Sequence, residues 1–334
     1  MGGETKVVKV LVTGGGGFLG SHLVKELLGR GDRVVVLARG AYPELEKQGV
    51  ELIRGDVQDR EAVRRAVAGV ESIFHVASKV GYWGDYADYE KTNVGGTQHL
   101  LDEAKAQGVL RFVYTSSPSA VIGDVEVQAG ADERLPYPER YLSPYGPTKA
   151  EAERRVLRAT GLRTVALRPH FIFGPGDPQL VPRLVLNAKR GSLAQVGDGT
   201  NRVDITYIDN CVRAHLLAHD ALAKEDAACR GKAYFLGQEA PIGLWTFVTR
   251  VLEGFGAPPV KKRISYRTAW TIGRMLEVAY RNLPLKGEPP LTRMAALILG
   301  TSHWFDHSAA TRDFGYHPEV STEEGLRRLF AHPT

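Results

Sequence analysis

A tyrosine and a lysine, Tyr145 and Lys149, stand four residues apart and could together do acid–base chemistry. On a helix this spacing puts both side chains on one face. Pro144 and Pro147 lie near the predicted helix start, where missing amide hydrogens cost little. A phenol titrates near pH ~10 in water, and a nearby ammonium lowers that pKa. We therefore expect Tyr145 to act as a proton donor or acceptor near neutral pH.

Three serines, Ser116, Ser117 and Ser119, follow the predicted strand Arg111–Tyr114. Ligands of open α/β sheets bind at the carboxyl ends of the strands. A serine hydroxyl at that edge can hydrogen-bond a carbonyl oxygen and stabilise the negative charge that develops on it. We predict this role for Ser117, with Ser116 and Ser119 as alternatives.

A glycine-rich turn joins the first predicted strand to the first predicted helix, with Gly14, Gly17 and Gly20 in the pattern G-x-x-G-x-x-G. Glycines permit a tight turn and a close approach of the backbone to a pyrophosphate, and the following helix presents free amide hydrogens to it. We expect Phe18 and Leu19, the first helical residues, to lie beside that pyrophosphate. A turn placed between a strand and a helix in this way predicts a dinucleotide-binding site.

The second predicted strand ends in Leu37-Ala38-Arg39, without an acidic residue. Sites for NAD place an aspartate or glutamate there to bond the ribose 2′-hydroxyl. The Arg39 guanidinium instead suits a 2′-phosphate, so the sequence favours NADP(H) over NAD(H). Asp56 and Val57, after the third strand, are expected to hold the adenine, with capping of the next helix as the alternative role for Asp56.

Apolar strand segments and helical segments alternate through the first half of the chain. The predicted strands are Lys6–Val12, Arg33–Leu37, Val50–Arg54, Ser72–Val76, Arg111–Tyr114 and Arg163–Leu167. The predicted helices are Phe18–Leu28, Asp59–Val67, Glu90–Gln107 and Tyr145–Thr160. Near-continuous apolar strands separated by helices are typical of a parallel sheet covered on both faces. The expected α/β fold is a Rossmann doubly wound parallel sheet, which positions the candidate residues at one edge.

The second half of the chain is less regular and is expected to add a smaller C-terminal substrate lobe. Its predicted strands and helices are Val203–Ile208, Ala233–Leu236, Ile242–Phe255 and Tyr266–Arg281. We expect residues 1–170 and about 203–239 to form an NADP-binding Rossmann domain. Residues from about 171 to 202 and from 240 to 334 would form the substrate-binding lobe.

The composition excludes several classes of protein. Of the 334 residues, 43% are hydrophobic and 24% are charged, which excludes a disordered chain and a coiled coil. The net charge is +5, and the interspersed charges argue against nucleic-acid binding. Two cysteines and histidines without ligand spacing predict neither a disulfide framework nor a metal site. We expect a cytoplasmic protein without a transmembrane segment, and contact with a membrane surface or a lipid-like substrate stays open.

Four segments, TGGGGFLG, YTSS, YGPTK and RPHFIFGP, occur in this order along the chain. Together they resemble the extended short-chain dehydrogenase/reductase family, over almost the whole chain. The resemblance implies hydride transfer with a nicotinamide cofactor. It implies that Tyr145 gives a proton to the carbonyl oxygen, that Lys149 tunes Tyr145 and holds the nicotinamide ribose, and that Ser117 orients the carbonyl. It also implies a homodimer, and assembly with neighbouring pathway enzymes stays open.

The same resemblance implies further cofactor contacts. Asn93, in TNVGGT, matches an asparagine that supports the catalytic residues of the family. Ala77 and Lys79, after the fourth predicted strand, would line the cofactor. Pro169 and Phe171 would lie beside the nicotinamide. Sugar-nucleotide epimerases of the family carry asparagine where this chain has Phe171, which disfavours a nucleotide-sugar substrate.

The segments ASKVGYWG and YTSSPS look like the 3β-hydroxysteroid dehydrogenase-type branch, and within it most like bacterial reductases of 2-alkyl-3-oxoalkanoates in olefin biosynthesis. This likeness implies NADPH-dependent reduction of an apolar β-keto acid to the 3-hydroxy acid. Tyr82, Trp83 and Ser119 are candidates for substrate contacts. The alternatives are a 3β-hydroxysteroid or sterol dehydrogenase with the same catalytic residues, and a cofactor-sensing binding protein, which the intact serine, tyrosine and lysine disfavour.

Overall fold

Strands and helices alternate regularly along the first half of the chain in the computed structural model, which describes residues 7–124 and 129–332. In chain order the strands are β1 Lys9–Thr13, β2 Arg33–Ala38, β3 Glu51–Arg54, β4 Ser72–His75, β5 Arg111–Thr115, β6 Arg163–Pro169, β7 Ile172–Phe173, β8 Ala194–Val196, β9 Arg202–Val203, β10 Thr206–Tyr207, β11 Lys232–Leu236, β12 Ile242–Gly243 and β13 Lys262–Ile264. The α-helices are α1 Phe18–Gly29, α2 Pro43–Lys47, α3 Arg60–Val67, α4 Tyr86–Tyr89, α5 Gly96–Ala106, α6 Tyr145–Arg158, α7 Leu180–Lys189, α8 Ile208–Ala221, α9 Leu244–Gly254, α10 Tyr266–Asn282, α11 Arg293–Gly300, α12 Ser308–Phe314 and α13 Thr322–Ala331.

Seven of these strands form one sheet in the order β11-β6-β5-β4-β1-β2-β3, and every neighbouring pair is parallel. The strand order reverses beside β1, which pairs with β2 on one side and with β4 on the other. Ligands of such sheets bind in the crevice at this reversal, outside the carboxyl ends of the strands. Thr13 ends β1 opposite His75 of β4, so these two residues mark the floor of the crevice.

The strands are buried on both faces, as the apolar sequence predicts. Val10, Leu11 and Val12 of β1 are all fully buried, although neighbouring side chains of a strand point to opposite faces. Val10 and Val12 belong to the apolar cluster that includes α1 and α8, whereas Leu11 belongs to the cluster with α3 and α5. The predicted Rossmann doubly wound sheet is therefore confirmed.

Several predicted boundaries differ from the structure. The predicted helix Glu90–Gln107 begins as a π-helix at Glu90–Gly95 and becomes α-helical from Gly96. The predicted strand Val203–Ile208 is wrong as a single element, because it divides into β9, β10 and the start of α8. Asp204 lies at the break, where its carboxylate accepts the amide hydrogen of Phe305 and a hydrogen bond from His307. Lys6, the predicted start of the first strand, lies outside the described residues.

The C-terminal half contributes mainly helices and short two-stranded pairings, and Ala233–Leu236 is confirmed as part of β11. The predicted helix Tyr266–Arg281 is confirmed as α10, with Ser265 as its cap. The predicted helix Ile242–Phe255 is shorter and starts as α9 only after β12. No helix within residues 7–124 and 129–332 is long and apolar enough to cross a membrane.

Candidate active site

The glycine turn packs so tightly that a side chain on Gly14 or Gly20 would collide with the backbone. Gly14 has a φ of +72°, and a Cβ there would lie 2.9 Å from the amide nitrogen of Ala77. A Cβ on Gly20 would lie 2.1 Å from the carbonyl oxygen of Gly14. Gly17 caps α1 and offers no side chain to its first amide groups. These bare amides at a helix start fit a pyrophosphate group.

A cleft of about 670 Å³ opens in front of the turn, a size typical of ligand sites. Nine of the residues predicted to bind the cofactor line it: Gly14, Gly17, Phe18, Leu19, Arg39, Asp56, Val57, Ala77 and Lys79. The other predicted contacts lie outside this lining: Asn93, Tyr145, Lys149, Pro169 and Phe171. The cleft thus gathers the residues predicted around the adenosine and pyrophosphate.

Arg39 stands at the rim of the cleft with a side chain that is 83% exposed, and its guanidinium lies 3.8 Å from the Asp56 carboxylate. Asp56 accepts the amide hydrogen of Gln58. The alternative role of Asp56 as a helix cap is wrong, because Asp59 accepts the amide hydrogens that start α3. Both Asp56 and Arg39 therefore stay available to a ligand in the cleft.

Replacing Gly20 with alanine is expected to weaken binding of the nicotinamide dinucleotide at least about tenfold. The added methyl group would collide with the Gly14 carbonyl oxygen and displace the turn. Gly29→Ala, at the end of the same helix, is the matched control, since a Cβ there meets no atom within 4 Å. Fluorescence titration would measure both affinities, and unchanged affinity of Gly20→Ala would contradict this role of the turn.

Tyr145 begins α6 and is half-buried, with the Ser117 and Ser78 hydroxyls near its phenol. Burial raises the pKa of Tyr145 to about 12, and these two hydroxyls offset part of that rise. The predicted lowering by Lys149 is therefore wrong in direction for the protein alone, because burial outweighs the effect of its neighbours. Tyr145 stays protonated at neutral pH and is able to donate a proton.

Lys149 lies one turn further along α6 and is only 1% exposed. Its Nζ donates to the carbonyl oxygen of Thr115, 2.6 Å away, and sits 4.2 Å from the centre of the Tyr114 ring. Burial lowers the pKa of Lys149 to about 7, although Glu153 acts in the opposite direction. The ammonium is thus held at the carboxyl end of β5, on the helix that carries Tyr145.

The three candidate serines have different surroundings. Ser117 Oγ accepts the amide hydrogen of Ser119 and lies near the Tyr145 phenol. Ser116 is buried and its hydroxyl lies towards Glu153, on the inner side of α6. Ser119 is buried in the 3₁₀ turn Pro118–Ala120. Of the Ser116 and Ser117 hydroxyls, that of Ser117 is the one placed beside Tyr145.

Asn93 lies in the π-helical turn and connects two parts of the site. Its Oδ1 accepts the amide hydrogen of Lys79 at 2.7 Å and the hydroxyl hydrogen of Ser78 at 3.1 Å. Its Nδ2 donates to the Lys79 carbonyl oxygen and to the Thr148 hydroxyl. With its polar groups engaged in this way, Asn93 holds the loop after β4 against α6.

The predicted substrate residues divide between two surfaces. Tyr82 packs with Phe171 in an apolar cluster that also contains Met294 and Leu297 of α11. Trp83 instead faces α10, where its ring meets the edge of Tyr280 at 6.3 Å. The structure therefore brings Tyr82 and Phe171 together and turns Trp83 towards the outer helix.

Phe171 has an unusual backbone, with a φ of +38°. Its ring stacks on His170 at 4.1 Å, and Nε2 of His170 lies 2.7 Å from Nδ1 of His303. A non-glycine residue in this region costs free energy, so the surrounding contacts must hold it there. The histidine pair connects the end of β6 to the segment after α11.

The sequence did not indicate three contributors to the site. The Ser78 hydroxyl lies near the Tyr145 phenol, and the Thr115 carbonyl oxygen accepts a hydrogen bond from Lys149. Tyr42 lies over the glycine turn, where a Cβ on Gly16 would come within 2.0 Å of its ring. Ser78 could have been found, because it follows β4 at the same sheet edge as the other site residues. The Thr115 carbonyl belongs to the backbone, and the Tyr42 ring reaches the turn from a loop, so neither leaves a pattern of residue types in the sequence.

Comparison with known proteins gives a consistent set of relatives. The model of the 3-beta hydroxysteroid dehydrogenase/isomerase family matches residues 11–266. The 2-alkyl-3-oxoalkanoate reductase of Stenotrophomonas maltophilia (strain K279a) is 52% identical over 329 residues, covering 97% of this chain and 99% of that protein. The sterol-4-alpha-carboxylate 3-dehydrogenase, decarboxylating, of Mus musculus is 34% identical over 331 residues, covering 97% and 90%.

Among solved structures, MoeE5 in complex with UDP-glucose and NAD superimposes with a TM-score of 0.73. It shares 28% sequence identity, and the match covers 97% of each chain. The fold thus agrees with that of a protein whose structure contains NAD.

Proposed function

The chain belongs to the 3-beta hydroxysteroid dehydrogenase/isomerase family, and we propose that it is an NADPH-dependent reductase of a 2-alkyl-3-oxoalkanoate. Family membership confirms the predicted resemblance. The chain is an oxidoreductase that interconverts an alcohol and a carbonyl with a nicotinamide dinucleotide. The observation that carries the proposal is the Tyr145 phenol, beside the Ser117 hydroxyl, on the same helix as the buried Lys149 and next to the glycine-lined cleft.

The side chains divide the acid–base work of the reaction. When bound, the reduced nicotinamide supplies a hydride to the carbonyl carbon. Tyr145 donates its proton to the carbonyl oxygen, and the Ser117 hydroxyl donates a hydrogen bond to the same oxygen. The Lys149 ammonium stabilises the phenolate that Tyr145 becomes.

The surroundings of Tyr82 and Phe171 favour an apolar substrate. Both aromatic residues pack with Val121, Met294 and Leu297. These side chains are apolar, which suits the alkyl chains of a lipid-like keto acid. The 52% identical relative is named for that substrate class.

Oxidation of two alcohols with NADP⁺ tests the proposal. The reaction is followed in the oxidative direction because β-keto acids decarboxylate on their own. One alcohol is a 2-alkyl-3-hydroxyalkanoic acid and the other is a 3β-hydroxysteroid. We expect absorbance of the reduced cofactor to rise with the first alcohol. Turnover of the steroid alone would replace the proposed substrate with that of the sterol branch, to which the 34% identical relative points.

The preference for NADPH rests on Arg39 and on Ala38, which ends β2 where an acidic residue would select NAD. We expect Arg39→Gln to lower affinity for NADPH about tenfold or more, since a hydrogen bond to a charged group is lost, and to leave NADH affinity within about twofold. Arg33→Gln, at the other end of the same strand, is the control. An unchanged ratio of the two affinities in Arg39→Gln would contradict the assignment.

The remaining parts of the account follow the family resemblance. Residues 1–170 and about 203–239 would bind the cofactor, and about 171–202 with 240–334 would bind substrate. Asn93 and Lys79 would set the loop beside the cofactor, with Pro169 and Phe171 next to the nicotinamide. We also propose that the protein is cytoplasmic and that it forms a homodimer. Gel filtration would test the dimer. Assembly with pathway enzymes would appear there as a larger complex.

A further inference from the structure

Helix α10 carries a row of exposed apolar side chains on its outer face. Ile272, Met275 and Val278 are 38%, 65% and 54% exposed. Leu283 and Leu285, just after the helix, are 55% and 46% exposed. Residues three apart on a helix are neighbours, so the first three form one continuous strip. We call these five residues the α10 strip.

A row of arginines runs beside the α10 strip. Arg267, Arg274 and Arg281 follow one another at intervals of seven residues, which places them on nearly the same side of the helix. All three are exposed, and no carboxylate in the described part of the chain forms an ion pair with them. An apolar strip bordered by unpaired cations is typical of helices that lie in a membrane interface.

The charge of the chain is concentrated around this helix. Residues 261–288 hold seven lysines and arginines and two acidic residues, a net charge of +5. The whole chain also has a net charge of +5, so the remainder is neutral overall. Of the two acids, Glu277 is buried and accepts hydrogen bonds from the amide nitrogen and Nε of Arg293. The exposed face of α10 itself therefore carries three arginines and no exposed carboxylate, which favours an anionic partner.

The opposite face of α10 is fixed to the body of the protein. A Cβ on Gly273 would come within 2.7 Å of the Thr292 backbone, so α10 and α11 pack in close contact. The Glu277–Arg293 ion pair joins the same two helices. The apolar residues of the strip thus face away from the packed side of the helix.

The α10 strip also lies next to the candidate active site. Tyr280 meets Trp83 in the loop that carries Ser78, and the Arg281 guanidinium lies 5.5 Å from the centre of the Trp83 ring. At the other end of α10, Tyr266 packs against the apolar cluster that contains Tyr82 and Phe171. A surface bound by this face would be close to the pocket for an apolar substrate.

We propose that the outer face of α10 docks the protein on an anionic lipid bilayer, with the α10 strip inserted among the lipids and the arginine row bound to their headgroups. The positive charge selects anionic lipid over a neutral surface, and the apolar strip holds the helix parallel to the membrane plane. This proposal does not depend on which keto substrate the site reduces.

Vesicle sedimentation tests this surface with the full-length chain. We expect wild type to sediment with phosphatidylglycerol vesicles, to stay in solution with phosphatidylcholine vesicles, and to be released by salt. Met275→Glu with Val278→Glu should abolish sedimentation. Arg267→Gln with Arg274→Gln should weaken it about 25-fold, at about fivefold for each basic side chain. Leu110→Glu, at a site 52% exposed before β5, is the matched control and should bind like wild type.

Thermal unfolding and NADPH binding would show that each variant is folded. Absence of wild-type binding to the anionic vesicles would overturn the proposal, as would equal binding by the Met275→Glu, Val278→Glu variant. If the wild type instead forms an oligomer that this variant dissociates, without binding vesicles, the face is a protein interface and the lipid assignment fails.

Discussion

Tyr145→Phe is expected to lower the rate of carbonyl reduction about 1000-fold and to leave the affinity for NADPH within about twofold. The phenylalanine ring fills the same space, whereas the hydroxyl beside Ser117 and Ser78 is lost. The variant therefore has no phenol proton to give to the alkoxide oxygen that hydride transfer forms. The loss should therefore appear in kcat, since the ring and the glycine turn that bind the ligands remain.

Stopped-flow measurement of a single turnover, together with a fluorescence titration of NADPH, would separate these two effects. Tyr86→Phe is the control, because Tyr86 is 45% exposed at the start of α4. It should keep its activity. Near-normal turnover by Tyr145→Phe would mean that another group donates the proton.

Lys149→Met is expected to abolish most of the activity and to stabilise the protein by about 2 kcal/mol at pH 7. Burial lowers the pKa of Lys149 from 10.5 to about 7, which bounds the cost of its charge in the folded state at about 5 kcal/mol. Methionine fills similar volume without charge. The gain in stability is smaller than this bound because the Thr115 carbonyl loses its hydrogen-bond donor in Lys149→Met.

The pH dependence of stability distinguishes this charge effect from a packing effect. Between pH 7 and 10.5 the unfolded chain holds a proton on Lys149 that the folded chain has released, so wild-type stability rises with pH through this window. Below pH 7 both states are protonated and the full cost remains. The advantage of Lys149→Met should therefore be greatest near pH 6 to 7 and shrink towards pH 10.

Urea denaturation of both proteins at several pH values would measure the difference. Lys105→Met, which replaces an exposed lysine of α5, should show no such pH dependence. A Lys149→Met protein that is less stable than wild type at pH 7 would contradict the assigned burial cost. The hydrogen bond from Lys149 to Thr115 would then stabilise the wild-type protein by more than the buried charge destabilises it.

The sheet and the glycine turn were predictable because both follow from local patterns. Apolar runs such as Val10–Val12 are typical of strands covered on both faces of a parallel sheet, and Gly14 and Gly20 are needed where the turn comes close to other backbone. The relative position of Tyr145 and Lys149 was predictable for the same reason, because a spacing of four residues on one helix puts both side chains on the same face.

The electrostatics of the site could not be predicted in the same way. The sign of the Tyr145 pKa shift depends on how deeply the phenol is buried, and burial comes from loops distant in sequence. The positive φ of Phe171 and its stacking on His170 likewise depend on His303, which lies more than 130 residues away. The predicted strand Val203–Ile208 is interrupted at Asp204, which bonds Phe305 and His307. These partners lie about 100 residues further along the chain, so the local sequence did not indicate the interruption.

The most direct test of the account follows the hydride itself. A 2-alkyl-3-hydroxyalkanoic acid with deuterium on C3 would be oxidised by the wild-type protein with NADP⁺, and the reduced cofactor would be analysed by mass spectrometry. The account predicts one deuterium in the NADPH formed. Reduced cofactor without deuterium, or binding of NADP⁺ without any oxidation of this alcohol, would contradict it.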